Sequence, residues 1–114
     1  MAKLSKEVLT IVLDLQLQLL KLINEVTATE FVIFEQFGEV EGTIDYFRQL
    51  QNAQERADSY YQRLFTTLRQ IYPSQPIAAH DRVELLDQFI GEAEATIDAV
   101  VAPISEIRRD FNLS

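Results

Sequence analysis

The residue types that carry most enzyme chemistry are scarce in this chain. It has no Cys and one His, which excludes thiolate catalysis, Cys-ligated zinc, iron–sulfur clusters and a two-His metal site within one chain. His80 is the only imidazole available as a base, and the serines lie in contexts unlike a nucleophile elbow. Gly38, Gly42 and Gly91 form no phosphate-binding loop. We therefore predict that the protein is not an enzyme and has no catalytic, cofactor-binding or metal-binding residues.

Carboxylates are the remaining candidates for chemistry, because acidic helical bundles can hold metal ions. Di-iron bundles use Glu-x-x-His motifs, and no Glu precedes His80 by three residues. Glu84 follows His80 by four residues, but Asp81 is predicted to cap the third helix and leave His80 in the loop before it. Four acids of this region share one helical face: Glu84, Asp87, Glu94 and Asp98. Without oxygen ligands from a second element this face would not bind Mg²⁺ or Ca²⁺, so we interpret it as solvated.

The charge of the chain is strongly acidic and unevenly distributed. With 18 acidic and 10 basic residues the formal net charge is −8, which disfavours a nucleic-acid partner. No basic residue lies between Lys21 and Arg48, or between Arg82 and Arg108. The segment between these stretches carries Arg48, Arg56, Arg63 and Arg69. The asymmetry indicates either a basic partner or contact between an Arg-bearing helix and an acidic face of another copy, with ordinary surface patterning as the alternative.

Length and composition predict one folded domain. The chain has 114 residues, 47% apolar and 25% charged, so we expect a single domain over residues 1–114 with a packed core. The apolar stretch from Val8 to Leu13 is interrupted by Asp14 and is too short for a signal peptide. No apolar run approaches the ~20 residues of a membrane span. We therefore expect a cytoplasmic protein with no membrane association.

The first long segment, from about Ser5 to Phe37, is predicted to be a helix with two apolar seams. One seam steps by four and three residues through Val8, Val12, Leu15, Leu19, Leu22 and Val26. The second contains Leu9, Leu13, Leu20 and Ile23. Thr27 and Glu30 could form a capping box that breaks the helix, and Phe31–Phe37 has strand propensity, so a short strand there stays open.

Two further helices are predicted from the same spacing of apolar residues, at steps of three and four. The second runs from about Thr43, a plausible N-cap, to Tyr72 before Pro73. Its seam is Phe47, Leu50, Gln54, Ala57, Tyr61, Leu64, Leu68 and Ile71. The third begins near Asp81, and we expect it to kink at Pro103 or to restart there with Pro103 in the first turn. That seam is Val83, Leu86, Ile90, Ala93, Ile97, Val100, Ile104 and Ile107.

These patterns predict an all-α fold: an antiparallel bundle of three long helices, or of four to five if breaks occur near Thr27 and Pro103. The first helix has more apolar circumference than two neighbours would cover, so we expect a homodimer to complete the bundle. Gln54, at a seam position, could pair with its own copy and set the register. The interface candidates are Leu9, Leu13, Leu20, Ile23 and Gln54.

Aromatic residues are concentrated in the middle of the chain. The candidates for lining a pocket are Phe31, Phe34, Phe37, Tyr46, Tyr60 and Phe65, and core packing is the competing interpretation. Taken together, the sequence favours a non-catalytic interaction or adaptor protein that acts through protein–protein contacts, as a homodimer and with a protein partner that the sequence does not identify. The alternative is a small-molecule-binding helical bundle with an aromatic-lined pocket. A carboxylate-bound metal enzyme is the third hypothesis.

Overall fold

Three long helices make up nearly all of the computed structural model, which describes residues 4–113. They are α1 (Lys6–Phe37), α2 (Ile44–Ile71) and α3 (His80–Asp110), and residues 4–113 contain no strand. The short connections at 38–43 and 72–79 turn the chain back on itself, so the helices pack up-down-up with every pair in contact. The bundle measures 56 × 20 × 18 Å. The predicted all-α three-helix bundle is confirmed.

The first helix is continuous, because local capping and long-range packing agree along its length. Ser5 is the N-cap, and its hydroxyl accepts a hydrogen bond of 3.1 Å from the Val8 amide. Thr27 caps no new helix, since its hydroxyl donates back to the Ile23 carbonyl at 2.8 Å. The alternative of a break near Thr27 is therefore not observed, and Phe31–Phe37 is helical.

The connection between α1 and α2 is held together by one threonine. Gly38 adopts a positive φ of 72°, which a glycine tolerates without strain, and ends α1. Thr43 stands at the N-cap position of α2 as predicted, but its side chain makes no capping hydrogen bond. The buried hydroxyl instead donates to the Gly38 carbonyl at 2.8 Å and accepts from the Val40 amide at 3.0 Å. The threonine thus fixes where α2 leaves α1.

The start of α3 differs from the sequence-based expectation. Asp81 was predicted to be the N-cap, and this was wrong: the cap is Ala79, in an extended conformation, and its side chain makes no capping hydrogen bond. The Ala79 carbonyl already accepts from the Val83 amide, so the helix starts before Asp81. His80 is consequently the first helical residue. Asp81 lies in the first turn, where its charge still complements the helix dipole.

The proline in α3 produces no break. Pro103 lies inside the continuous helix His80–Asp110. A proline removes one backbone donor, and the residue four positions earlier, Ala99, loses that partner. Both residues are exposed, so water can reach the Ala99 carbonyl. The possible break near Pro103 is therefore not observed either.

The core lies along the common axis of the helices and follows the predicted seams closely. The largest fully buried apolar side chains are Val12, Leu19, Val26, Ile33, Leu50, Leu64, Ile71, Leu86 and Ile104. On α2 the seam differs at two levels, where Ala53 and Thr67 are buried and Gln54 and Leu68 are only half-buried. A helix that contacts two neighbours turns a broader face inward than a single heptad seam describes.

Polar contacts connect α3 to both neighbours. Arg108 donates to the Thr29 hydroxyl of α1 at 2.7 Å. Tyr46 of α2 donates to the Asp110 carboxylate at 3.2 Å, and this contact raises the pKa of the Tyr46 phenol. Tyr60 donates to the Glu92 carboxylate at 3.1 Å. These contacts fix the rotational setting of α3 against the other two helices.

Glu92 is the acceptor at the centre of the α2–α3 contact. The Gln88 amide donates to it at 2.9 Å, and the Arg63 guanidinium lies 4.0 Å away. The pKa of Glu92 is lowered, first by the hydrogen bond from Gln88, then by that from Tyr60, against the opposing effect of burial; the charge of Arg63 adds a smaller lowering. The ionised form is thus the one that the folded chain prefers.

Adjacent valines on α3 provide a matched test of the core. Val100 is buried (3% exposed) and Val101 is exposed (45%). We expect Val100→Ala to lower the free energy of unfolding by about 2 kcal/mol, from lost burial and the cavity left behind. Val101→Ala should change it by less than about 0.5 kcal/mol, because an exposed site loses no packing. Urea unfolding followed by circular dichroism measures both, and equal effects would contradict the helix orientation described here.

Because of the hydrogen bond from Tyr60 to Glu92, we expect the contribution of Glu92 to stability to depend on pH. Tyr60→Phe removes a donor to the ionised carboxylate, so the pKa of Glu92 should rise, measured by carboxyl ¹³C NMR titration. Because the folded-state pKa lies below the unfolded value, the stabilisation by Glu92 is present above the unfolded pKa and is lost as pH falls through the folded pKa. Tyr61→Phe, at a residue that packs against the core, is the control and should leave the pKa of Glu92 unchanged. An unchanged pKa in Tyr60→Phe would refute the contact.

Candidate functional site

The outward face of α1 carries a line of large apolar side chains. Leu13, Leu17, Leu20 and Phe31 are 53%, 50%, 47% and 65% exposed, and we call them the outer stripe. Leu13, Leu17 and Leu20 are separated by four and three residues, and Phe31 lies about five full turns after Leu13. The four side chains therefore project in nearly the same direction, along about 27 Å of the helix at ~1.5 Å per residue.

The outer stripe lies opposite the core side of the same helix. Leu15, Leu19, Leu22 and Val26 are all at most 8% exposed and face α2 and α3. At ~100° per residue, Leu22 lies about half a turn around the helix from Leu13. A helix that only covers a core has one apolar face. The second face of α1 therefore has no structural role within a single chain.

The predicted interface residues separate into two groups. Leu13 and Leu20 belong to the outer stripe. Leu9 and Ile23 are half-buried, and Ile23 packs against the core. Gln54 does not reach the outer stripe; it lies across from Ile23 in a surface groove of about 440 Å³ between α1 and α2. Leu17 was not among the predicted interface residues, although its spacing from Leu13 and Leu20 is the signal that places it on this face.

Two opposite charges lie along one flank of the outer stripe. Asp14 and Lys21 are seven residues apart, so they project from the same side of α1 two turns apart. Both are exposed, and Asp14 also accepts a hydrogen bond of 2.7 Å from Gln18. Lys21 is the only basic residue between Lys6 and Arg48. The part of the outer stripe from Leu13 to Leu20 is thus bordered on this flank by one acid and one base.

A cavity of about 390 Å³ opens between α1, the turn after it and α2, and we call it the α1–α2 cavity. Its described lining residues are Thr27, Glu30, Phe31, Phe34, Glu39, Phe47 and Gln51. Phe34 and Phe47 are in ring contact at 6.4 Å between centroids, with planes tilted by 58°. Two of the six predicted pocket aromatics, Phe31 and Phe34, are therefore brought together here, and Phe47 joins them.

The other predicted pocket aromatics lie elsewhere. Phe37 and Tyr46 pack on the Phe111 ring at the end of the bundle, at centroid distances of 5.4 and 4.8 Å. Tyr60 lies under the Arg63 guanidinium at 4.8 Å, and Phe65 lies near that of Arg69 at 5.7 Å. The crowding of aromatics in the sequence thus corresponds to several separate surfaces and not to one pocket.

One carboxylate in the α1–α2 cavity is electrostatically incomplete. The Oε2 atom of Glu30 is buried from solvent, and no donor among residues 4–113 lies within hydrogen-bonding distance of it. Buried acceptors in folded proteins are almost always hydrogen-bonded, because desolvation without a partner costs free energy. Glu39 supplies a second carboxylate to the same cavity, and none of the described lining residues is Lys or Arg.

The described residues provide no suitable set of ligands for a metal ion. His80 and Glu84 contact each other at 2.7 Å, but both side chains are strongly exposed. Within residues 4–113 there is no group of three or more His, Asp or Glu side chains that could hold a metal ion. In the same range no helix is both long and apolar enough to cross a membrane. The candidate functional surfaces are therefore the outer stripe and the α1–α2 cavity.

Comparison with known proteins adds no further assignment. No family model matches the chain, and neither a curated protein nor a solved structure resembles it significantly.

Proposed function

We propose that this protein is a non-catalytic helical bundle that acts through protein–protein contacts as a homodimer, in which α1 of one copy packs against α1 of another along the outer stripe. The observation that carries the proposal is the exposure of Leu13, Leu17 and Leu20, at about half of each side chain, on the face opposite the core. Contiguous exposed apolar surface of this kind marks interaction sites in monomeric folds. Burial against a second helix removes it from water.

A second copy of the chain is a suitable occupant because the outer stripe has the spacing of a coiled-coil seam. Alternating steps of four and three residues allow a helix to pack against an identical one, with each apolar side chain entering a gap on the partner. A twofold axis between Leu17 and Leu20 makes the contact isologous: Leu17 of each copy meets Leu20 of the other. The same surface then serves both copies, so the assembly closes as a dimer.

The flanking charges favour the antiparallel arrangement. With the twofold axis between Leu17 and Leu20, Asp14 of each copy lies near Lys21 of the other, which gives two symmetric attractive pairs. A parallel arrangement would bring Glu30 of one copy near Glu35 of the other, because these positions flank the seam one turn apart. Like charges at such positions are repulsive, so the antiparallel dimer is the one that we propose.

The dimer leaves the acidic side of α3 available for a different protein. Glu84, Asp87, Glu94, Asp98 and Glu106 are all exposed on this helix. A basic partner protein would be attracted to this surface, in keeping with an adaptor role. The absence of Cys suits the reducing conditions of a cytoplasmic location, which we include in the proposal.

A single charge on the outer stripe tests the dimer. Leu20→Glu should convert the dimer into a 13.1 kDa monomer in size-exclusion chromatography with light scattering at micromolar concentration. The helical circular dichroism should persist, because Leu20 contributes little to the core. Ile77→Glu is the matched control, since Ile77 is equally exposed (53%) but lies in the loop before α3; it should remain dimeric. A monomeric wild-type chain, or a Leu20→Glu variant that unfolds, would overturn the proposal.

Exchanging the flanking charges tests the orientation. Lys21→Asp should weaken the dimer roughly tenfold, because two attractive pairs worth about 0–1 kcal/mol each become repulsive. The double variant Asp14→Lys/Lys21→Asp should restore the affinity to within about threefold, since the antiparallel pairs are re-formed with opposite signs. Sedimentation equilibrium at low and high salt measures both, and the differences should shrink at high salt. Arg69→Asp on α2 controls for net charge. If the double variant fails to recover, the antiparallel pairing is wrong.

A further inference from the structure

The α1–α2 cavity combines an aromatic wall with an anionic one. Phe31 and Phe34 form exposed rings along α1, and the nearly buried Phe47 forms the base from α2. Glu30 and Glu39 contribute two carboxylates to the lining. Thr27 and Gln51 complete the described lining with neutral polar groups. The described wall therefore offers acceptors and ring faces but no cationic donor of its own.

The charge and the rings select one class of ligand. Glu30 and Glu39 place two carboxylates in the lining of the cavity, and a cationic N–H group forms the strongest hydrogen bond to a carboxylate. Aromatic faces attract the same cations through their quadrupoles and also cover the apolar part of a ligand. An anion would be repelled by the two carboxylates, and a purely apolar molecule would leave Glu30 without a partner.

We propose that the α1–α2 cavity binds a small organic cation, with an ammonium, amidinium or guanidinium head that donates to Glu30 and an aromatic or alkyl body that packs on Phe31 and Phe34. The cavity volume of about 390 Å³ lies at the lower end of small-molecule sites. This binding goes beyond the proposed dimer, which does not need Glu30 and shares only Phe31 with the cavity. A free amine and the side chain of an Arg residue share this chemistry, and the experiment distinguishes them.

The test is an NMR titration of the ¹⁵N-labelled full chain with three isosteric probes. Benzamidine should shift the amide signals of residues around Glu30 and Phe34 with saturation, whereas benzamide and benzoate should bind at least roughly tenfold more weakly. N-acetylarginine amide forms the second arm: tighter binding than benzamidine would identify a protein side chain as the source, and weaker binding a free small molecule. If neither cation binds at millimolar concentration, or if benzamide binds as well as benzamidine, the proposal is overturned.

Matched variants assign the binding to the cavity. Glu30→Gln keeps the shape of the side chain but removes its charge, so benzamidine affinity should fall roughly tenfold or more. Glu35→Gln makes the same charge change at an exposed position of α1 outside the described cavity lining, and affinity should stay within about twofold. Phe34→Leu should also weaken binding, whereas Phe65→Leu on α2 should not. Equal losses of benzamidine affinity in Glu30→Gln and Glu35→Gln would show that only the net charge matters, and would overturn the proposed site.

The wild-type chain and the Glu30→Gln variant also distinguish the cation site from the proposed dimer. Light scattering on Glu30→Gln should give the mass of the wild-type assembly, because Glu30 lies outside the outer stripe. Loss of benzamidine binding with the mass unchanged supports the cation site. A monomeric wild-type chain that still binds benzamidine through Glu30 would refute only the dimer.

Discussion

Burial of one face of α1 between α2 and α3 is the interaction on which the rest of the structure depends. Val12, Leu19 and Ile33 are completely buried along nearly the whole length of this helix, so α1 must remain straight and unbroken to fill the core. This requirement overrides local signals such as the capping residues at Thr27. Burial of this face also fixes the direction of every other side chain on α1. The outer stripe is exposed because it lies on the face opposite the one buried in the core.

The fold could be predicted from the sequence because the core is built from long repeated seams. Spacings of three and four residues, repeated over several turns, specify helix type and inward face even where single residues are ambiguous, as at Phe31–Phe37. The sequence-based predictions are wrong where a single residue determines the local structure. The start of α3 is one of them: a preceding extended residue, Ala79, supplied the first carbonyl, and the preference of Asp81 for caps was not used.

The candidate surfaces were less predictable because they depend on contacts between helices. Spacing along α1 identified Leu13 and Leu20, since a face of one helix is a property of one segment. Gln54 was placed in an interface, but α2 turns Ala53 inward at that level and leaves Gln54 beside Ile23. Likewise, Phe37 and Phe34 are neighbours in sequence but point to different parts of the bundle, and Glu30 gave no sequence signal of an unpaired acceptor.

Phe31 belongs both to the outer stripe and to the α1–α2 cavity, so the proposed dimer and the proposed cation site would be thermodynamically linked through this side chain. It is the most exposed of the large apolar side chains described, at 65%. An aromatic ring that packs on a cation in the cavity loses rotamer freedom, and a ring already ordered in this way costs less to order again at a dimer contact. If the preferred ring positions agree, ligand binding strengthens the dimer; if they differ, it weakens the dimer. Linkage requires the dimer to alter ligand affinity by the same factor. In the proposed dimer, this one shared side chain would therefore couple the binding of a small cation to assembly.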